Sequence, residues 1–260
     1  MESTSNPFFL SVVMPAYDEE NTLRRSVEAV LERVPGLSEI IVVNDGSKDR
    51  TAEIADQLSA QHPRVRVIHQ PHNQGKTAAL RTGFAASRGD IVIVQDADLE
   101  YDPAEISAVI EPIIQGAADV VYGSRFMVRK ASRCLYFYHF LANKALTFFS
   151  NLFTNVNMTD VETCYKAFRG EIIRNMTIVS SGFGFEIEVT AKVAKLGCRV
   201  FEVPISYYGR TYEEGKKIGF KDGLAAGWYV LRFNLFCSLE QSYTRIPQIG
   251  QHQARSKAAL

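Results

Sequence analysis

Three carboxylates spaced two apart, Asp96, Asp98 and Glu100, follow the apolar run DIVIVQ (90 to 95) in Asp96-Ala97-Asp98-Leu99-Glu100. In a chain leaving a strand, side chains two apart can face the same side. Such an oxygen set suits a hard divalent cation, Mg²⁺ or Mn²⁺, which takes one or two carboxylates and completes its shell with phosphate oxygens and water. A lone D-x-D is more often a loop of solvated charges. Here two other polar clusters also follow strand-like runs: Pro15-Ala16-Tyr17-Asp18-Glu19-Glu20-Asn21 after FLSVVM (9 to 14), and Asn44-Asp45-Gly46-Ser47-Lys48-Asp49 after IIVV (40 to 43). Ligands of open parallel sheets bind beyond the carboxyl ends of the strands, so these clusters would meet at one edge as a metal-diphosphate site.

The elements that must position them are legible in the pattern. Two more strand-like runs, VRVI (65 to 68) and DVVYG (119 to 123), alternate with helix-length segments whose apolar residues recur at three and four, such as Leu23, Val27, Val30, Leu31 and Val34. That alternation predicts βαβ units and an α/β fold: a mostly parallel central sheet flanked by helices, its strands buried on both faces. Asp102-Pro103-Ala104-Glu105 reads as a cap, a proline at the first helical position and a capping-box Glu, so a helix should begin there. After about residue 123 the alternation stops. A basic run, Arg129, Lys130 and Arg133, introduces an aromatic segment in which Tyr138, Leu141, Ala142, Ala145, Phe149 and Leu152 form a helical stripe. A helix near 186 to 196, a strand near 199 to 203 and an amphipathic helix near 223 to 236 complete the C-terminal half. The expected organisation is an N-terminal tail (1–8), one domain (9–240) and a polar, loosely ordered tail (241–260).

Composition excludes several classes. The chain has 260 residues, 46% of them hydrophobic, enough for a core of its own. Lys plus Arg and Asp plus Glu both total 29, so no global basic field exists to hold nucleic acid. Cys134, Cys164, Cys198 and Cys237 show no metal spacing and read as reduced thiols of a cytoplasmic protein. No secretory signal is recognisable, and no window reaches the ~18 apolar residues of a membrane span. Gly75-Lys76-Thr77 imitates a P-loop, but the first glycine of that motif would fall at Gln70. Gly182-Phe183-Gly184-Phe185 begins like a dinucleotide fingerprint, but Ile187 stands where its third glycine belongs.

Taken together and in order, P-A-Y-D-E-E-N, V-N-D-G-S-K-D-R-T, N-Q-G-K and D-A-D-L-E resemble the family 2 glycosyltransferases of GT-A fold, and within them the polyprenyl (dolichyl) phosphate mannose and glucose synthases. The likeness runs from about Leu10 to Gly223, through Gly123-Ser124-Arg125, Asp160, Val203-Pro204-Ile205 and Arg210 to Gly215-Lys216-Lys217. The resemblance implies a nucleotide-sugar half (9–123) and an acceptor and membrane-facing half (124–240). Pro15, Tyr17 and Glu19 would line the nucleoside pocket, with Asp45 on the base or ribose and Lys76 nearby. Asp96, Ala97 and Asp98 would contact ribose and metal, and Glu100, where many relatives have Gln, would be a further ligand. Asn44 stands where relatives often carry Asp. Arg125, Arg210 and Lys216 resemble the family's phosphate-facing cations, against the plainer reading of solvated surface charges.

The implied activity is inverting transfer of a hexose from a GDP- or UDP-sugar to a polyprenyl phosphate, with Mg²⁺ or Mn²⁺ as Lewis acid on the leaving diphosphate. An acceptor phosphate, with a second pKa near ~6, is largely ionised at neutral pH and needs little help from a base. A hydroxyl of a saccharide or protein, the alternative acceptor, would need one. Asp160 is the candidate base or acceptor-orienting group. The aromatic segment and the helix bearing Trp228, Tyr229 and Phe233 would make peripheral contact with the cytoplasmic face of a membrane, where a membrane-anchored partner subunit would be in reach. Ordinary core packing is the competing account of those stripes.

Overall fold

The structure, a computed structural model, describes residues 8–127, 133, 136–182, 184–209 and 220–249. Arg129, Lys130, Arg210 and Lys216 lie outside the described residues. Chain order is β1 (Leu10–Ala16), α1 (Leu23–Arg33), β2 (Leu37–Asn44), α2 (Thr51–Gln61), β3 (Val65–His69), α3 (Lys76–Ala86), β4 (Ile91–Val94), a 3-10 turn (Pro103–Glu105), α4 (Ile106–Ile114) and β5 (Val120–Ser124). It continues with α5 (Phe137–Thr154), β6 (Lys166–Arg169), α6 (Gly170–Asn175), α7 (Phe185–Leu196), β7 (Val200–Pro204), α8 (Phe220–Leu235) and α9 (Leu239–Ser242).

The strands form one seven-stranded sheet in the order β3-β2-β1-β4-β6-β5-β7. All neighbouring pairs are parallel except those of β6, which runs antiparallel to both β4 and β5. Reversal on either side of β6 leaves β5 and β7 pointing the same way as β1, β2, β3 and β4, so six strands present their carboxyl ends at one edge. The alternation along β1 shows why the strands are apolar throughout. Val12 and Met14 face one core with α1, α2 and α4, while Val13 faces the other with Leu80 and Phe84 of α3. Each such side chain contributes about 1.5–3 kcal/mol by leaving water. Helix α3 lies so close that a Cβ on Gly83 would meet Val13 Cγ1 at 2.3 Å.

β6 carries no strand signal in the sequence because its first residue is a buried lysine. Lys166 is fully enclosed, donates to the carbonyls of Val161 and Thr163, and lies over the Tyr122 ring at 4.8 Å. Beyond β5 the C-terminal half is a helical layer in which Val161, Ile187, Ala226 and Val230 are covered by Leu146, Phe149, Phe153 and Tyr229.

One sequence expectation changes here, and of the two accounts of the α5 stripe exposure is favoured over core packing. Residues 241–249 are docked rather than loose: Ser238 and Gln241 form a capping box, Tyr243 is buried with its hydroxyl donating to the Lys192 carbonyl, and Thr244 N donates to the Asn175 carbonyl. A buried Tyr243 and a partly buried Ile249 anchor a segment that average composition marks as polar. The stripe on α5 also points outward. Tyr138 is 81% exposed, Leu141 52%, Phe148 70% and Leu152 66%, while the inward face is built from Thr147, Ser150 and half-buried aromatics. On α8 the faces split: Trp228 is exposed and Phe233 is buried. Among the described residues, no helix is long and apolar enough to cross a membrane.

Candidate active site

The loops after β1 and β2 are sewn to one another. Asp18 N donates to Ser47 Oγ, Lys48 N to Asp18 Oδ1, Glu19 N to Thr51 Oγ1 and Glu20 N to Asp49 Oδ2, all within 3.0 Å. Asn44, the amide where a carboxylate was anticipated, bonds His69 Nδ1 and the Ser47 N–H, so it shapes the turn. Asp45, expected at a nucleoside, is engaged within the fold: its two oxygens accept the Gln74 and Gly75 N–H groups, each at 2.8 Å. That clamp delivers Lys76 to the first turn of α3. Gly46 is obligatory at φ 65°, since a Cβ there would meet the His72 and Asn73 backbone within 2.7 Å.

These loops and the ends of β4, β5 and β7 enclose one cavity of about 340 Å³. Pro15, Tyr17, Glu19 and Asp45 line it from β1 and the loops after β1 and β2, Asp96, Ala97, Asp98 and Glu100 from the segment after β4, and Arg125 from the end of β5, together with Lys76, Tyr101 and Tyr207. The strand-end residues read from sequence thus share a single space. After β4 the backbone is forced into an unusual turn. Leu99, between Asp98 and Glu100, has φ 64°, and Asp98 Oδ1 accepts the Glu100 N–H at 3.1 Å. A non-glycine residue in that region costs on the order of 1–3 kcal/mol, and such strain concentrates at functional sites.

The three acidic residues do not act as one set. Lys76 Nζ sits 3.0 Å from Asp96 Oδ2, 2.7 Å from Cys164 Sγ and 3.6 Å from Glu186 Oε1. Burial would lower its ammonium, but Asp96, Cys164 and Glu186 hold it well above the usual lysine value. Glu100, anticipated as a metal ligand, accepts the Tyr207 hydroxyl at 2.6 Å. Among the described residues, no three His, Cys, Asp or Glu groups converge as a ready-made metal cage. Two strand-end aspartates remain in the cavity, and a Mg²⁺-like ion that brings phosphate oxygens and water needs no more than one or two carboxylates.

Arg125, the first residue after β5, is fixed rather than solvated. Its Nε and Nη2 donate to Asp160 Oδ2 and Oδ1, each at 2.7 Å, and its backbone N donates to Asp160 Oδ2 at 3.1 Å. The Tyr207 ring lies 5.1 Å and the Phe126 ring 5.6 Å from the guanidinium carbon. Asp160 is fully buried, and burial would raise its carboxyl, yet Arg125 holds it below the usual aspartate value. Both oxygens of Asp160, the candidate base or acceptor-orienting group, are thus engaged by Arg125. Glu202 on β7 holds the turn beneath, accepting the Thr159 and Asp160 N–H groups at 2.9 and 3.2 Å.

Several lining residues escaped the sequence reading. Tyr207 follows β7, the strand expected near 199 to 203, at the same edge, so the strand-end rule applied to that strand as well would have found it. The P-loop and dinucleotide look-alikes meet each other: Thr77 Oγ1 donates to the Gly182 carbonyl at 2.9 Å, and Gly182 lines the cavity. Glu162, Cys164 and Glu186 line the same cavity. Burial first and the charge of Glu186 second push the Glu162 carboxyl up to about 8. Among the described residues, Cys164, Cys198 and Cys237 are free thiols.

Comparison with known proteins matches this architecture. The family model described as Glycosyl transferase family 2 covers residues 11–177. The undecaprenyl-phosphate mannosyltransferase of Micrococcus luteus is 30% identical over 86% of this chain and 97% of its own length. The polyprenol monophosphomannose synthase of Mycolicibacterium smegmatis is 32% identical over 80% of each chain. Glucosyl-3-phosphoglycerate synthase from Mycobacterium tuberculosis, solved with Mn²⁺ and uridine-diphosphate-glucose, superposes with a TM-score of 0.69 at 20% identity, over 88% of this chain and 79% of that one, a likeness of fold. With its mostly parallel sheet, its strand-end carboxylates and matches of this extent, the chain belongs to glycosyl transferase family 2.

Proposed function

We propose that the protein transfers a hexose from a nucleoside diphosphate sugar to a polyprenyl phosphate at a membrane surface, with a divalent cation, Mg²⁺ or Mn²⁺. The observation that carries the reading is one cavity lined together by Tyr17, Asp45, Asp96, Asp98 and the clamped Arg125. The named activities of the bacterial relatives, a mannosyltransferase and a mannose synthase acting with prenyl phosphates, support the acceptor class. Arg210 and Lys216 are proposed as further phosphate-facing cations.

In this reading the nucleoside lies against Pro15, Tyr17 and Glu19. Asp98, with Asp96, would hold the cation, which when bound neutralises the diphosphate as it leaves. Lys76, already within 3.0 Å of Asp96, keeps that carboxylate balanced and stays charged beside the diphosphate. Arg125 cannot swing away, because Asp160 fixes its Nε–Nη2 edge, so its charge is held in place for a phosphate. An acceptor phosphate oxygen attacks the anomeric carbon. The new C–O bond forms as the bond to the diphosphate breaks, the configuration inverts, and the electron pair leaves with the nucleoside diphosphate. Engagement of Asp160 by Arg125 favours this acceptor over a hydroxyl, since an ionised phosphate needs no base. Exposed Phe137, Tyr138, Leu141, Phe148 and Leu152 on α5 and Trp228, Leu235 and Phe236 at α8 offer the apolar face of an interfacial helix pair.

The test is incubation with radiolabelled UDP- and GDP-sugars and Mg²⁺ or Mn²⁺, with and without polyprenyl phosphate. Label entering the organic phase only when polyprenyl phosphate is present is expected. Transfer solely to a water-soluble acceptor overturns the acceptor assignment and favours a saccharide or protein hydroxyl. A membrane-anchored partner subunit, also proposed, would co-purify from detergent extracts of the source membrane.

A further inference from the structure

Five buried side-chain N or O atoms among the described residues lack a hydrogen-bond partner, and two of them belong to residues lining the cavity: Glu162 Oε1 and Glu186 Oε2. Buried polar atoms are nearly always paired, and one left without a partner costs about 1–3 kcal/mol. Glu186 is only 3% exposed, so bulk water does not relieve it. Its position explains how it is tolerated: it lies in the first turn of α7, where the helix dipole favours an anion, and its other oxygen is 3.6 Å from Lys76 Nζ.

Both glutamates line the same cavity as Asp96 and Asp98. A single ammonium, that of Lys76, spans from Asp96 to Glu186. A ligand whose diphosphate lies at Asp96 and Asp98 therefore puts its next chemical unit against Glu162 and Glu186. We propose that Glu162 and Glu186 are the specificity-determining residues for the transferred sugar, accepting hydrogen bonds from hydroxyls of a neutral hexose and rejecting an anionic one such as a uronic acid. This inference rests on the nucleotide-sugar reading of the same cavity. It assigns the two glutamates to the part of the donor that the strand-end motifs do not reach. The geometry supports it further, because neighbouring carboxyl groups suit adjacent hydroxyls, each a donor where the wall lacks one. Burial holds Glu162 above the usual carboxylate range, so it can also donate to a sugar oxygen.

The experiment is titration calorimetry of the full chain, with Mg²⁺, using UDP against UDP-glucose and GDP against GDP-mannose, on the wild type, Glu162→Gln and Glu186→Gln. Whichever pair the wild type binds, each variant is expected to keep its affinity for the diphosphate and lose about 10-fold for the sugar nucleotide, the size of one hydrogen bond. UDP-glucuronate is expected to bind the wild type more weakly than UDP does. The thermal midpoint should not fall in Glu162→Gln, whereas Glu186→Gln also loses the charge beside Lys76. Equal weakening of diphosphate and sugar nucleotide, or a lowered midpoint for Glu162→Gln, overturns the inference in favour of a structural role. Unchanged affinities with lost turnover overturn it in favour of a base. A wild type that binds both diphosphate and sugar nucleotide equally defeats the inference alone, whereas one that binds none of the four ligands defeats the functional reading beneath it as well.

Discussion

Replacing Asp160 by Asn separates a residue that positions Arg125 from one that takes a proton. Asp160 is fully buried, the Arg125 side chain is 11% exposed, and three hydrogen bonds of 2.7 to 3.1 Å join them. Removing one member of a buried pair leaves the other charge uncompensated, at a cost of about 3–5 kcal/mol. Asn keeps one acceptor, so the lower figure applies. For a chain of roughly this size, each kcal/mol moves the melting midpoint by about 2–4 °C, giving a fall of about 6–12 °C. Turnover should drop by about 100-fold, as when one pre-aimed donor of a charge-stabilising site is lost. Because Asp160 acts through Arg125, the losses are not independent: Arg125→Gln, Asp160→Asn and the double variant should lie within about threefold of one another. The assays are differential scanning calorimetry and label transfer at saturating donor. Losses that multiply in the double variant, or an unchanged midpoint for Asp160→Asn, would refute the positioning argument.

Asp98→Ala should abolish turnover and metal-dependent diphosphate binding with little change in midpoint, read by calorimetry with and without Mn²⁺; near-normal activity removes the metal assignment. Phe148→Asp together with Leu152→Asp, both on the exposed side of α5, should weaken co-sedimentation with anionic phospholipid vesicles while leaving diphosphate binding intact. Gly83→Ala should destabilise by about 1–3 kcal/mol through overpacking against Val13, measured by urea unfolding. Asp119 supplies a pH test. Burial would raise its carboxyl, but Arg199, bonded at 2.8 and 3.0 Å, holds it below the usual value. A depressed folded-state pKa contributes stability above the unfolded value of about 3.9 that is lost as pH falls through the folded one. Asp119→Asn should therefore cost more stability at pH 7 than at pH 3; an equal cost at both discards the ion pair as the cause.

What the sequence determined by itself is the frame and the direction in which to look. Apolar runs such as IIVV can only be strands buried on both faces, and a parallel strand's polarity decides at which edge the residues after it emerge. That is why Tyr17, Asp45, Asp96 and Asp98 could be expected in one place before any coordinates. The tertiary structure alone decided how they are employed, because partners distant in the chain compete for the same atoms. Asp45 is turned toward the Gln74 and Gly75 N–H groups, Glu100 toward Tyr207 and Asp160 toward Arg125, pairings across 29, 107 and 35 positions. No local pattern encodes such separations. β6 likewise stayed hidden because its buried Lys166 is tolerated only by carbonyls and a ring that folding brings to it. Which face of α5 meets solvent was equally undecided by periodicity, which fixes that a stripe exists but not what lies against it; the packing of α5 against α7 and α8 left Tyr138, Leu141 and Phe148 on the outside.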